Sequence, residues 1–114
     1  MGDDKVRIAK TEALFRDVNE RIAETADRFD SPTACFVCEC AEPSCTRRVD
    51  ISLEDYERVR ADPTWFVLAP GHELAGVERV VADRVNYRIV EKIERVIRDH
   101  VTRLDPRTDA GLAQ

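Results

Sequence analysis

All four cysteines of this 114-residue chain lie within one short segment, CFVCECAEPSC at residues 35–45. Closely spaced cysteines in a reducing compartment are better explained by metal binding or redox chemistry than by structural disulfides. The four residues 41–44, Ala-Glu-Pro-Ser, form a turn-like sequence between two extended stretches. We therefore interpret residues 35–51 as a metal-binding β-hairpin.

A structural zinc ion takes four thiolate or imidazole ligands in a tetrahedron. Cys38 and Cys40 share one side of the predicted strand, and Cys45 begins the next stretch across the turn. His72 follows a Pro-Gly pair directly after an apolar run, and we predict it as the fourth ligand of a Cys3His zinc site. Cys35 stays open as an alternative ligand, because it forms a C-x-x-C pair with Cys38; otherwise it is a small buried hydrophobe.

The length of the chain fits one domain with one modest core. Four Phe, two Tyr and one Trp are few large side chains for such a core, so a metal staple is expected. We predict a single zinc-stabilised domain over residues 1–105, followed by a disordered tail at 106–114. The formal net charge of -5 argues against nonspecific binding of nucleic acid over the whole surface.

The first element is a long helix, predicted at residues 4–30. Ile8, Phe15, Ile22 and Phe29 recur every seven residues, which is a helical stripe. The stripe either packs on the core of this domain, which we favour, or forms a seam with another chain.

The remainder of the chain alternates short strands with short helices, which predicts an α+β fold with a small antiparallel sheet around the zinc-binding hairpin. In chain order we predict a strand at 48–53, a short helix after Ser52, a strand at 65–68, a Pro-Gly-His loop at 69–73, a short helix at 73–83, a strand at 87–90 and a C-terminal amphipathic helix at 91–104.

Several blocks of the sequence resemble a family of small uncharacterised bacterial proteins. The blocks are F-x-C-E-C-x4-C at residues 36–45, E-Y-x-x-V-R at 55–60 and P-G-H-E at 70–73. This chain has Asp55 where the family pattern has Glu, and its last helix beyond Lys92 does not align with the family. The resemblance covers roughly residues 12–92. It implies the ligand set Cys38, Cys40, Cys45 and His72, and it implies no activity.

The function predicted from these patterns is a non-enzymatic, zinc-stabilised interaction or regulatory module that binds another protein, as a monomer or homodimer. The predicted contact surface is either the terminal amphipathic helices or the surface around Arg47 and Arg48. No secretory signal opens the chain and no run of about 18 apolar residues occurs, so we expect a cytoplasmic protein with no membrane association.

Three alternatives from other functional classes stay open. The first is a zinc-dependent hydrolase with Glu73 as the base, although the zinc-protease and deaminase motifs are absent. The second is a redox or iron–sulfur sensor. The third is a nucleic-acid binder that uses Arg47, Arg48 and the mildly basic C-terminal surface, for which neither an aromatic platform nor a clean basic stripe is present.

Overall fold

The computed structural model describes residues 2–107, and it has the predicted α+β architecture. In chain order the elements are α1 (Gly2–Arg28), β1 (Thr33–Val37), β2 (Arg48–Ser52), α2 (Leu53–Arg60), β3 (Trp65–Leu68), β4 (Glu78–Asp83), β5 (Arg88–Lys92) and α3 (Arg95–Arg103). Among these described helices, none combines the length and apolar character needed to cross a bilayer.

The strands form two small antiparallel sheets rather than the single sheet predicted. Strands β1 and β2 pair as a hairpin, and the second sheet has the order β3-β5-β4. The backbone N–H of Glu39, just beyond β1, donates to the carbonyl of Val67 in β3 over 2.9 Å. The segment that contains the cysteines therefore crosses from one sheet to the other.

The prediction of a short helix at residues 73–83 was wrong, because this stretch contains strand β4 instead. Val80 pairs with Val90 of β5, and Val77 accepts two backbone hydrogen bonds from residues 93 and 94. Valine is β-branched and favours an extended backbone where a strand edge is free to pair. Strand β5 pairs with β3 along one edge, and its other edge is available for pairing with residues 78–83. This pairing favours the strand over the helix.

The C-terminal helix begins at Arg95, four residues later than predicted, because Glu91 and Lys92 belong to β5. The side chain of Glu94 accepts a hydrogen bond from the backbone N–H of Ile97 over 2.9 Å and so caps the first turn of α3.

The described residues extend two positions beyond the predicted domain boundary at residue 105. Residues 108–114 of the predicted tail lie outside the described residues, but Arg107 is described and its guanidinium contacts two carboxylates. It lies 3.0 Å from Glu20 and 2.7 Å from Glu57. Both partners are distant in the sequence, so residue spacing gives no hint of these pairs.

Helix α1 buries chiefly a face of small and polar side chains, and the predicted stripe of large apolar ones packs on the core only in part. Phe29 is 74% exposed, and the other three stripe residues are partly buried, of which Ile8 and Ile22 pack against the core. The fully buried positions of α1 are instead Ala9, Glu12, Ala13, Arg16, Asn19, Ala23 and Ala26. Four alanines allow close approach of the neighbouring elements, chiefly α3 and β1, and the three polar residues make specific contacts inside the core.

One of these contacts is a buried ion cluster that joins α1 to the second sheet. The Lys92 ammonium of β5 lies 2.7 Å from the Glu12 carboxylate and also contacts Glu78 of β4. The side chains of all three residues are at most 1% exposed. The ammonium also lies 4.9 Å from the ring centroid of Phe66, within the range of a cation–π contact.

We expect Lys92→Met to lower the free energy of unfolding by about 3 kcal/mol, because it leaves two buried carboxylates without their cation. Arg79→Met is the matched control, since the Arg79–Glu91 pair in the same sheet has an arginine that is 65% exposed. The control should cost less than about 1 kcal/mol. Urea unfolding followed by circular dichroism measures both, and equal losses would contradict a special role for the buried cluster.

Glu12 also gives the fold a pH dependence. Burial raises the pKa of Glu12 from 4.5 to about 7, and its Oε1 atom accepts no hydrogen bond within the described chain. Because the folded-state pKa is the higher one, this group's contribution to stability is complete below pH 4.5 and is lost as the pH rises through about 7.

We therefore expect the stability difference between wild type and Glu12→Gln to shift by about 2 to 3 kcal/mol between pH 4.5 and pH 7.5, against the wild type at the higher pH. Unfolding curves of both proteins at a series of pH values measure this shift. A constant difference would show that Glu12 titrates alike in the folded and unfolded chains.

Candidate metal centre

The structure brings Cys38, Cys40, Cys45 and His72 together at one point. Their ligand atoms all lie within 4.8 Å of one another. The three cysteines come from the loop between β1 and β2, and the histidine comes from the loop that follows β3. This is the set of four side chains that the sequence predicted, and it can hold a metal ion.

The distances within the cluster suit a tetrahedral zinc ion. The Nδ1 atom of His72 lies 3.6 Å from the sulfur of Cys38 and 3.6 Å from that of Cys45. Zinc–sulfur and zinc–nitrogen bonds at a tetrahedral angle place sulfur and nitrogen about 3.6 Å apart. Three sulfurs and one imidazole are also a donor set that zinc prefers. These residues therefore fit zinc, and Nδ1 would be the ligating atom of the histidine.

A tight turn presents the histidine. Residues 69–72 form a β-turn in which the backbone N–H of His72 donates to the carbonyl of Ala69 over 3.2 Å. Pro70 occupies the second position, where its fixed φ is favourable, and Gly71 occupies the third with a φ of 89°. A positive φ at the third position with proline before it is typical of a type II turn, and glycine is the residue that adopts it without strain.

Backbone amides are directed at the sulfurs of the cluster. The N–H of Ala69 donates to the sulfur of Cys38 over 3.2 Å. The backbone amides of Glu42 and Arg47 also act to lower the pKa of Cys40 and Cys45, after the larger effects of the Cys38 hydrogen bond on Cys40 and of burial on Cys45. Such hydrogen bonds favour the thiolate form of cysteine and orient a metal ligand.

The pKa values of the three cluster cysteines shift in different directions. The hydrogen bond with Cys38 lowers the pKa of Cys40 to about 4, and a hydrogen bond with His72 acts in the same direction. The same Cys38–Cys40 bond, together with burial, raises the pKa of Cys38. Burial also raises the pKa of Cys45. One thiolate is thus favoured by the protein alone, whereas three adjacent thiolates require a bound cation.

The residue between the first two ligand cysteines, Glu39, anchors the loop to the rest of the fold. Its side chain is fully buried. One carboxylate oxygen accepts from the backbone N–H of Val67 over 3.0 Å, and the other accepts from the amide of Asn19 over 2.8 Å and the hydroxyl of Tyr56 over 2.9 Å. Asn19 also donates to the carbonyl of Val37 and accepts from its N–H.

Sequence reasoning assigned no role to Glu39 or Asn19. The one available signal was that Glu39 lies between two predicted metal ligands, Cys38 and Cys40. A negative charge beside thiolate ligands hints that its carboxylate has a partner elsewhere in the fold. Its partners come from α1, α2 and β3, so spacing along the chain does not identify them.

Other residues considered as site candidates lie apart from the cluster. Cys35 is exposed in β1 opposite Asp50, so it is neither part of the cluster nor the small buried hydrophobe that was its alternative interpretation. The carboxylate of Glu73 accepts a hydrogen bond from the N–H of Gly71 over 3.1 Å and forms an ion pair with Arg88.

No protein-family model, no curated protein and no solved structure matches this chain. The resemblance to the small bacterial family therefore stays a prediction, and the case for a metal site rests on the geometry alone.

We expect Cys45→Ser to lower the affinity for zinc by at least about 100-fold, because it removes one donor of a four-donor site. Cys35→Ser is the matched control, since it also removes one thiol, and it should leave the affinity unchanged. Titration against a zinc-binding dye measures both. Loss of zinc from Cys35→Ser would mean that the ligand set is assigned wrongly.

Proposed function

We propose that this protein is a zinc-stabilised, non-enzymatic module that binds another protein. The observation that supports this most directly is that four protein donor atoms converge at the candidate metal centre. A structural zinc ion is surrounded by four protein ligands, whereas a catalytic zinc ion keeps one position for water or substrate. A complete protein ligand set favours a structural role.

The position of the cluster explains what the metal does for the fold. It would join the loop after β1 to the loop after β3, and these strands belong to different sheets. Metal binding by small zinc domains contributes about 10 to 16 kcal/mol, which is comparable with the whole stability of a domain of this size. The ion would thus hold together two sheets that are each too small to be stable alone.

The contacts of Glu73 argue against the hydrolase alternative. A general base needs a carboxylate oxygen directed at the reacting water. Here one oxygen accepts from the Gly71 N–H and the other pairs with Arg88, in the loop and strand beside the site. Glu73 is better described as a residue that stiffens the turn before it.

The nucleic-acid alternative loses Arg88 but keeps the arginines next to the cysteine loop. Arg47 and Arg48 are exposed, and the Arg48 guanidinium lies 3.4 Å from the carbonyl of Cys35 in the neighbouring strand. Further along, Arg88 is paired with both Glu73 and Asp83. Guanidinium groups held by carboxylates are poorly suited to a phosphate backbone.

Large exposed side chains on α1 support a protein partner. Leu14 is 63% exposed and Phe29 is 74% exposed. Both residues lie on the side of the helix opposite to the buried face that carries its alanines. All four cysteines are free thiols, so the proposal includes a reducing compartment, the cytoplasm, in which a zinc–thiolate site persists.

Elemental analysis of the purified full-length protein tests the metal part of this proposal. We expect one equivalent of zinc, and a thiol titration should find one reactive thiol, Cys35, before chelation and four afterwards. Chelation should also remove the cooperative thermal transition. Iron in place of zinc, or no metal at all, would contradict the proposal and favour the redox or iron–sulfur alternative.

Zinc X-ray absorption tests the non-enzymatic part. A closed site shows three sulfur neighbours at about 2.3 Å and one nitrogen at about 2.0 Å. A second nitrogen or oxygen neighbour at about 2.0 Å, whether added or in place of a sulfur, would indicate a bound water and would revive the hydrolase alternative.

A further inference from the structure

An open apolar groove of about 760 Å³ runs along helix α1 beside the start of β1. We call it the α1 groove; the apolar side chains that define it are Leu14, Val18, Ile22, Ala26, Phe29 and Ala34. Leu14, Val18 and Phe29 are exposed by 63%, 40% and 74%. Large apolar side chains clustered in one patch, rather than scattered singly, mark an interaction surface.

The arrangement of this stripe is symmetric along the helix. Leu14 and Phe29 are equally far from a point between Arg21 and Ile22, and Val18 and Thr25 are equally far from the same point. Phe29 continues the helical turn, since its N–H donates to the carbonyl of Thr25 over 3.1 Å. Two copies of α1 packed antiparallel about that point would place each Leu14 against the partner's Phe29. A two-fold interface requires such self-complementarity.

The charges beside the stripe are self-complementary in the same way. Asp17, Arg21, Glu24 and Arg28 are all exposed along one flank of α1, and their signs alternate. None of the four makes an ion pair with another residue in the described part of the chain. Arg21 and Glu24, like Asp17 and Arg28, are equally far from a point between Ile22 and Ala23, which is about 1.5 Å along the helix from the centre of the apolar stripe. In an antiparallel pair the same flanks meet, so about this point Arg21 faces the partner's Glu24 and Asp17 faces the partner's Arg28. A parallel pair would instead bring opposite flanks together, so the charged flank would not meet its own copy.

We propose that the α1 groove binds a second copy of this chain, with the two α1 helices antiparallel and crossing near Ile22. The inference rests on the proposed interaction function for its choice of surface and does not depend on the metal. The stripe from Leu14 to Phe29 is only about 22 Å long, so the interface is small for a stable dimer. We therefore expect a weak dimer that dissociates on dilution.

Sedimentation equilibrium of the full-length protein over a wide concentration range tests the proposal. The mass should rise from 13.0 kDa to twice that value as the concentration increases. Leu14→Glu should weaken the dimer by at least about 30-fold, because it places two charges in the apolar part of the interface. Val85→Glu is the matched control at an apolar residue that is 98% exposed and lies outside the groove, and it should change nothing.

A charge exchange tests the antiparallel register. Arg21→Glu should weaken the dimer by about 10-fold, because it faces the partner's Glu24 and replaces attraction by repulsion. The double variant Arg21→Glu/Glu24→Arg restores the pair with reversed signs and should return the dissociation constant to within about 3-fold of the wild type. Circular dichroism and zinc content confirm that each variant is folded.

A wild-type protein that stays monomeric at every concentration would overturn the proposal that a second copy occupies the groove, even if another molecule binds there. The zinc measurements would be unaffected by this result. A dimer that Leu14→Glu does not weaken would overturn the proposed surface. A double variant as weak as Arg21→Glu alone would overturn the antiparallel register. Conversely, a protein without zinc that still forms this dimer would contradict the metal proposal and not this one.

Discussion

The buried carboxylate of Glu39 is the contact on which the arrangement of this small fold most depends. Its oxygens accept hydrogen bonds from α1, α2 and β3 at once, and its own backbone N–H pairs with β3. A buried carboxylate without such donors costs several kcal/mol, so it selects the packing in which all three donors are in place. Because it lies between two cysteines of the cluster, the same selection fixes where their sulfurs converge.

Buried charge replaces apolar bulk elsewhere in this interior as well. Arg16 of α1 is fully buried and donates to the carbonyls of Pro63 and Val101, over 2.8 Å and 2.7 Å. Its guanidinium lies 4.7 Å from the ring centroid of Phe66, the ring that Lys92 also contacts. Buried ion pairs contribute little net stability compared with apolar side chains of the same volume. With such an interior, a metal bound at the junction of the two sheets would matter energetically.

The cluster itself was predictable from the sequence, and most of what supports it was not. The three cysteines are close in the chain, and the Pro-Gly pair indicated that His72 lies in a turn, so local rules were sufficient. Glu39 is different, because its partners are contributed by three other elements. Residues 73–83 show the same limit: helical spacing was present, but pairing with β5 determined the conformation. Local sequence patterns predict which secondary structures a segment can adopt. Where a segment can form either a helix or a strand, only tertiary contacts determine which one it forms.

The spacing of the four ligand residues has a consequence for the order of folding events. Cys38 and Cys45 are separated by a short loop, whereas His72 follows Cys45 by 27 residues and depends on β3 for its position. Closing a short loop costs less chain entropy than closing a long one, so the thiolates can capture an ion while most of the chain is still unfolded. The imidazole would join only when β3 has docked on Glu39. Capture of an ion would thus be local and early, and completion of the ligand set would require that the two sheets have met.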